Sequence, residues 1–113
     1  MPWFSFPFLR RRRLPPVDLS HLHVVLYTRQ ACHLCEQTHR LLTEEQGRYA
    51  FTMECRDIDA DPELVKQFGE LVPVVSVNRK VRFRGGVNRV LLARLFRAEA
   101  DRAATQESGR RRR

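Results

Sequence analysis

The sequence is short of cysteine, of acidic side chains and of long apolar runs, and each shortage removes a class of protein. Three cysteines in 113 residues, two close together at Cys32 and Cys35 and one apart at Cys55, are too few and too uneven for a secreted disulfide scaffold. Reactive or metal-binding thiols in a reducing compartment fit better. No stretch reaches the roughly 18 apolar residues that span a bilayer. The opening MPWFSFPFLRRRR sets its short apolar stretch before the Arg cluster and interrupts it with Pro2 and Pro7, the wrong order for a secretory signal. A soluble, cytoplasmic protein is expected. The length supports one domain, and 42% hydrophobic residues suffice for one modest core, which leaves no room for a separate substrate domain.

Acidic residues number 13 against 21 Lys and Arg, for a net charge of +8. Such an excess ordinarily points to nucleic acid or an anionic membrane. Here it sits at the ends. Residues 1–22 hold four Arg and one Asp, and residues 97–113 hold six Arg and three acids. A groove-binding domain spreads its charge over the folded body, so the excess is read as two basic tails. The expected layout is a basic, aromatic and flexible arm over 1–20, a folded domain over 21–100, and an Arg-rich disordered tail over 101–113. Trp3, Phe4, Phe6 and Phe8 beside Arg10–Arg13 suit a weak contact with an anionic surface, against the plainer reading of an unstructured N-terminus.

The body reads as alternating strands and helices. His23 to Thr28 is a short apolar, β-branched run, hence a buried strand. From Cys32 to about Glu45, Cys32, Cys35, His39 and Leu42 recur at helical spacing, with Gly47 as a stop. Tyr49, Phe51, Met53 and Cys55 then alternate with Ala50, Thr52, Glu54 and Arg56, a strand with Cys55 as an inert thiol on its core face. Asp61 followed by Pro62 starts a short helix ending at Gly69. Val72–Val77 and Lys80–Arg84 flank an Asn78-Arg79 turn as an antiparallel hairpin. Gly85-Gly86 break the chain, and Asn88 caps a last helix whose apolar face is Val90, Leu91, Leu92, Leu95 and Phe96. The order β-α-β-α-β-β-α predicts an α/β fold, a mixed four-stranded sheet with helices on both faces.

Cys32-His33-Leu34-Cys35 falls where the first strand gives way to the first helix. A cysteine at a helix N-terminus meets unpaired backbone N–H groups and the positive end of the helix dipole, and both stabilise a thiolate. Cys32 is therefore the candidate nucleophile, and Cys35, one turn further in, the resolving thiol. Arg29 and His33 flank the pair and favour the thiolate if their charges point toward it. Pro73 opens a strand without a donor for the ladder. Val72-Pro73 is then either a special turn, cis included, whose backbone pairs with a peptide-like substrate, or an ordinary trans proline at a strand edge.

Leu26 to Cys35 (LYTRQACHLC), Asp57 to Leu64 (DIDADPEL), Val72 to Val75 (VPVV) and the Gly85-Gly86 pair give residues 23–96 a resemblance to a glutaredoxin-like domain of the thioredoxin superfamily, in particular the small bacterial forms with a CxLC-type site. The resemblance implies the thioredoxin-like fold, a cis Pro73 facing the cysteines, and thiol-disulfide oxidoreductase activity on protein or glutathione mixed disulfides. It also implies a glutathione site on Arg29, Val72, Pro73, Gly85, Gly86 and the position of Asn88. The chain departs from the pattern twice: Asn88 stands where an acid is expected, and Leu71 where Thr is usual. An amide forms no charge pair with the glutathione amino group. No bound cofactor or metal is expected, glutathione is the candidate reductant, the partners are disulfide-containing proteins or glutathione, and a monomer suffices.

The competing reading is a non-catalytic thioredoxin-fold binding module with a metal site. Cys32, Cys35 and His39 form C-x2-C-x3-H, with Cys55 or His21 as a fourth zinc ligand. Structural zinc sites more often draw on two separated pairs. An iron-sulfur cluster shared between protomers is disfavoured by the second thiol at Cys35.

Overall fold

Leu19, Leu22, Val24 and Leu26 are all buried, and the first strand, β1, accordingly runs over Val17–Thr28. It starts six residues earlier than the alternation at His23 suggests, because the apolar spacing between Leu19 and Leu22 breaks the period of two. Asp18 pairs with Ala50, but pairing resumes at His23 with Thr52, so the extra residues are absorbed in an irregular stretch of β1. The computed structural model describes residues 14–111. Of the expected arm, residues 1–13 lie outside the described residues, whereas Val17–Ser20 belong to the sheet.

The remaining elements follow as α1 (His33–Gln46), β2 (Tyr49–Asp57), α2 (Pro62–Phe68), β3 (Val74–Val77), β4 (Lys80–Arg84) and α3 (Arg89–Arg111), with 3-10 turns at Ile58–Ala60 and Gly69–Leu71. Asp61 caps α2 through a bond from the Glu63 N–H at 2.9 Å, with Pro62 in the first turn, as the Asp-Pro pair predicts. The sheet order is β2-β1-β3-β4, with β1 parallel to β2 and antiparallel to β3, and β3 antiparallel to β4. This is the expected mixed sheet, and the fold is thioredoxin-like α/β.

The main core gathers Leu19, Leu22, Val24 and Leu26 of β1 with Phe51, Val75 and Val77, closed by Leu42 of α1 and Leu92, Leu95 and Phe96 of α3. Phe96 stacks on Phe51 with ring centroids 4.5 Å apart, fixing α3 over the edge strand. A smaller cluster of Ile58, Phe68 and Val74, with the Tyr27 ring tilted against that of Phe68 at a centroid distance of 4.7 Å, seats α2.

Helix α3 departs from expectation at both ends. Val90 and Leu91 are exposed, so its buried face is Leu92, Leu95 and Phe96, continued by the half-buried Ala100 and Ala103. It also continues to Arg111, past the point where a disordered tail is expected. The polar composition there is nonetheless one of good helix formers, Ala, Arg, Glu and Gln, and Glu99 pairs with Arg102 one turn on at 2.9 Å.

Candidate active site

The register collects one end of the sheet into a site. Thr28 pairs with Asp57, Tyr27 with Val74, and Val74 with Arg84, so β1, β2 and β4 end and β3 begins at the same edge. The two-glycine segment is fastened there. The Gly85 N–H donates to the carbonyls of Leu71 (2.7 Å) and Pro73 (2.9 Å), with Gly85 at φ 77° and Gly86 at φ 146°, where a side chain is strained. The Val72-Pro73 bond is cis. Pro73 is buried and Val72 half-buried.

From β1 the chain turns through Ala31, at φ 55°, into Cys32 in an extended conformation as the N-cap of α1. The Cys32 carbonyl accepts from the Glu36 N–H, and the Cys32 sulfur accepts from the Cys35 N–H at 3.2 Å. A sulfur thus occupies the capping position usually taken by a Ser or Asp oxygen, at the positive end of the helix dipole. Cys32 and Cys35 form a disulfide, with Cα atoms 5.2 Å apart. Cys35 is buried, Cys32 half-buried, and His33 and Leu34 between them are exposed.

Arg29 is near the cysteines, but its charge is engaged elsewhere. Its Nη2 and Nε donate to the two Asp59 oxygens at 2.7 and 3.2 Å, and Nη1 reaches the Gly69 carbonyl at 3.4 Å. The pairing holds the Asp59 carboxyl below the usual carboxylate range and raises Arg29 further, in both cases chiefly through the hydrogen bonds they share. Asn88 is likewise committed: its Oδ1 accepts from the Val90 and Leu91 N–H groups at 2.9 and 3.1 Å and caps α3.

An open cavity of about 530 Å³ adjoins the disulfide, lined by Thr28 to Cys32, Cys35, Glu36, His39 and Cys55. It brings together Arg29, Cys32 and Cys35, whereas Val72, Pro73, Gly85, Gly86 and Asn88 do not line it. Cys55 is not the core thiol expected. It is exposed, since burial falls off along β2 from buried Phe51, under Phe96 of α3, through half-buried Met53 to Cys55. Partial desolvation, with the Glu54 carboxylate adding to it, pushes the Cys55 thiol up. His21 lies at a different cavity, with Asp18 and Ala103 of α3. Among the described residues no three His, Cys, Asp or Glu side chains are gathered to hold a metal.

Asp59 and the exposure of Cys55 were not legible in the sequence. The spacing from Arg29 to Asp59 gains meaning only once the parallel register of β1 and β2 sets Thr28 beside Asp57.

A thioredoxin-like sheet with a CxxC pair at the start of its first helix defines a class of thiol-bearing small domains. Residues 23–97 match the model of the glutaredoxin-like domain (DUF836), and the chain belongs to that family. No curated protein matches it. Among solved structures it is similar to protein Ne2328 from Nitrosomonas europaea, at 23% identity and TM-score 0.58, over 74% of this chain and 95% of that one. It is also similar to a structural-genomics target protein, XcR50, from X. campestris, at 28% identity and TM-score 0.54, over 66% of this chain and 96% of that one. Among the described residues no helix is long and apolar enough to cross a membrane.

Proposed function

We propose that the chain is a dithiol oxidoreductase that reduces protein disulfides or glutathione mixed disulfides. The observation that carries this reading is the Cys32 sulfur at the N-cap of α1, accepting the Cys35 N–H and joined to Cys35. In the reduced protein the same amide and the helix dipole favour the Cys32 thiolate, the nucleophilic form. Cys32 attacks one sulfur of the substrate disulfide; that bond breaks, and the other sulfur leaves as a thiolate. Cys35 then gives up its proton and attacks the Cys32 sulfur. The second substrate sulfur leaves, and two electrons have passed from the dithiol to the substrate.

Glutathione is the proposed reductant that returns the electrons, and a monomer carries out the cycle. The commitments of Arg29 to Asp59 and of Asn88 Oδ1 to the α3 cap weigh toward protein disulfides as the main substrates. Near the cis Val72-Pro73 bond, the exposed Leu71 offers an apolar contact for a polypeptide. Reduction of a protein disulfide by the purified chain tests the reading. Cys32→Ser is expected to reduce the rate to background, and a variant that keeps the wild-type rate refutes the assigned nucleophile.

A further inference from the structure

The sheet face turned away from the main core is only partly covered. Along β1, His23, Val25 and Tyr27 alternate with Val24 and Leu26 of the core and so point to the α2 side. Seven residues make α2 about 10 Å long, which seats it on the small cluster at the Tyr27 and Val74 end of this face. Next to it a cavity of about 310 Å³ opens between Phe68 of α2, this face of β1 and β3, and the Asn78-Arg79 turn. It shares no residue with the cavity beside the disulfide.

The floor of the cavity holds an unused donor. Ser76 is 3% exposed and sits across the β1–β3 pair from Val25, and its hydroxyl forms no hydrogen bond with a described residue. A buried hydroxyl without a partner is costly unless a ligand or water meets it. The rim holds an unused cation. Arg79 follows Ser76 in the same hairpin, one residue past the closing Val77-Lys80 pair, and forms no ion pair among the described residues. Its backbone is left-handed at φ 72°, after Asn78 at φ 49°, in a two-residue turn whose second position usually takes glycine. Asn78 suits its place: its Oδ1 accepts the His23 N–H at 2.8 Å and its own N–H donates to the His23 carbonyl at 2.9 Å, fastening the turn to β1. Arginine brings the turn no such gain, whereas it brings the cavity a guanidinium. No acid lines the cavity. The Glu54 carboxylate, which contacts two of the side chains that do, is taken by Arg56 Nε at 2.6 Å and His23 Nε2 at 3.1 Å, and this leaves Arg79 unopposed.

We propose that this cavity binds a compact organic oxyanion, a phosphate or carboxylate group on a small apolar body, held by Arg79 and Ser76. The guanidinium fork matches two oxygens of one such group, and the Ser76 hydroxyl donates to the oxyanion from below. Tyr27 and Phe68, with ring centroids 4.7 Å apart, and Val81 supply an apolar wall for the body of the ligand. The volume lies at the small end of ligand pockets, so the ligand is a small molecule and not a polymer. The site stands apart from the dithiol reading and is tested without it.

Amide chemical shifts of the full-length chain, labelled with nitrogen-15, are followed as phenyl phosphate or benzoate is added. Saturable shifts at Phe68, Ser76 and Val81 are expected, and the tighter of the two probes identifies the head group. Arg79→Gly is expected to weaken that binding about tenfold or more, and Ser76→Ala, which leaves the turn intact, about tenfold. The urea midpoint of Arg79→Gly should equal or exceed that of wild type, because glycine accepts the left-handed turn. The proposal is overturned if neither probe gives saturable shifts at these residues. It is equally overturned if Arg79→Gly and Ser76→Ala bind as wild type does, which would leave only unspecific attraction of anions to a basic surface.

Discussion

Helices α1 and α3 begin alike and differ in the chemistry at their first residue. In α1 the cap is the Cys32 sulfur, accepting one N–H at 3.2 Å. In α3 it is Asn88 Oδ1, accepting two at 2.9 and 3.1 Å. Both meet the same need, since the first turn of a helix has N–H groups without partners. The amide is a fixed acceptor, whereas the sulfur gains a charge on reduction and loses it on oxidation. The same backbone electrostatics therefore anchor one helix and bias the other toward redox chemistry.

The comparison can be broken from either end. The largest effect is expected at Cys32→Ser, which keeps a capping oxygen and hence the α1 helix, seen in an unchanged far-ultraviolet circular dichroism spectrum, while disulfide reduction falls to background. An activity that survives with the oxygen in place would make α1 a purely structural helix like α3. Next in size is the anchor of α3. Phe96→Ala removes a fully buried ring stacked on Phe51 and should lower stability by about 3–5 kcal/mol in a urea titration. Asn88→Ala should cost about 1 kcal/mol by the same titration, whereas Asn88→Asp retains the cap acceptor and should stay close to wild type.

The smallest effect concerns Arg29. Its bonds depress the Asp59 pKa in the folded state below the ordinary value of 3.8, so their contribution is fully present above that value and is lost as pH falls through the lower folded pKa. Stability of wild type and Asp59→Asn should therefore converge as acid is added, with wild type the more stable near neutrality. Urea midpoints across the acid range check this, and a gap that widens in acid would contradict the assigned pairing.

Much of the fold was legible because its signals are local. The Asp61-Pro62 start, the Asn78-Arg79 turn, the Asn88 cap and the strand-to-helix position of Cys32 each depend on a few adjacent residues, and the structure has all four. What escaped depends on packing between distant segments. The start of β1 at Val17 rests on Leu19 and Leu22 meeting the core despite an irregular register, and the length of α3 on Ala100 and Ala103 finding cover. At the site, alternation correctly put Cys55 on the face of Phe51 and Met53 but could not tell that the cover ends before it. Arg29 was singled out for its proximity to the cysteines, while the carboxylate that holds it lies thirty residues on.

A redox titration of the purified protein against glutathione, with alkylation and mass spectrometry at each point, tests the central claim most directly. The account predicts a two-electron transition in which Cys32 and Cys35 lose their alkylatable thiols together, and a Cys32-glutathione adduct that accumulates in Cys35→Ser. Cysteines that stay fully alkylated across the titration, or an adduct that forms at Cys55 while Cys32 remains free, would contradict it.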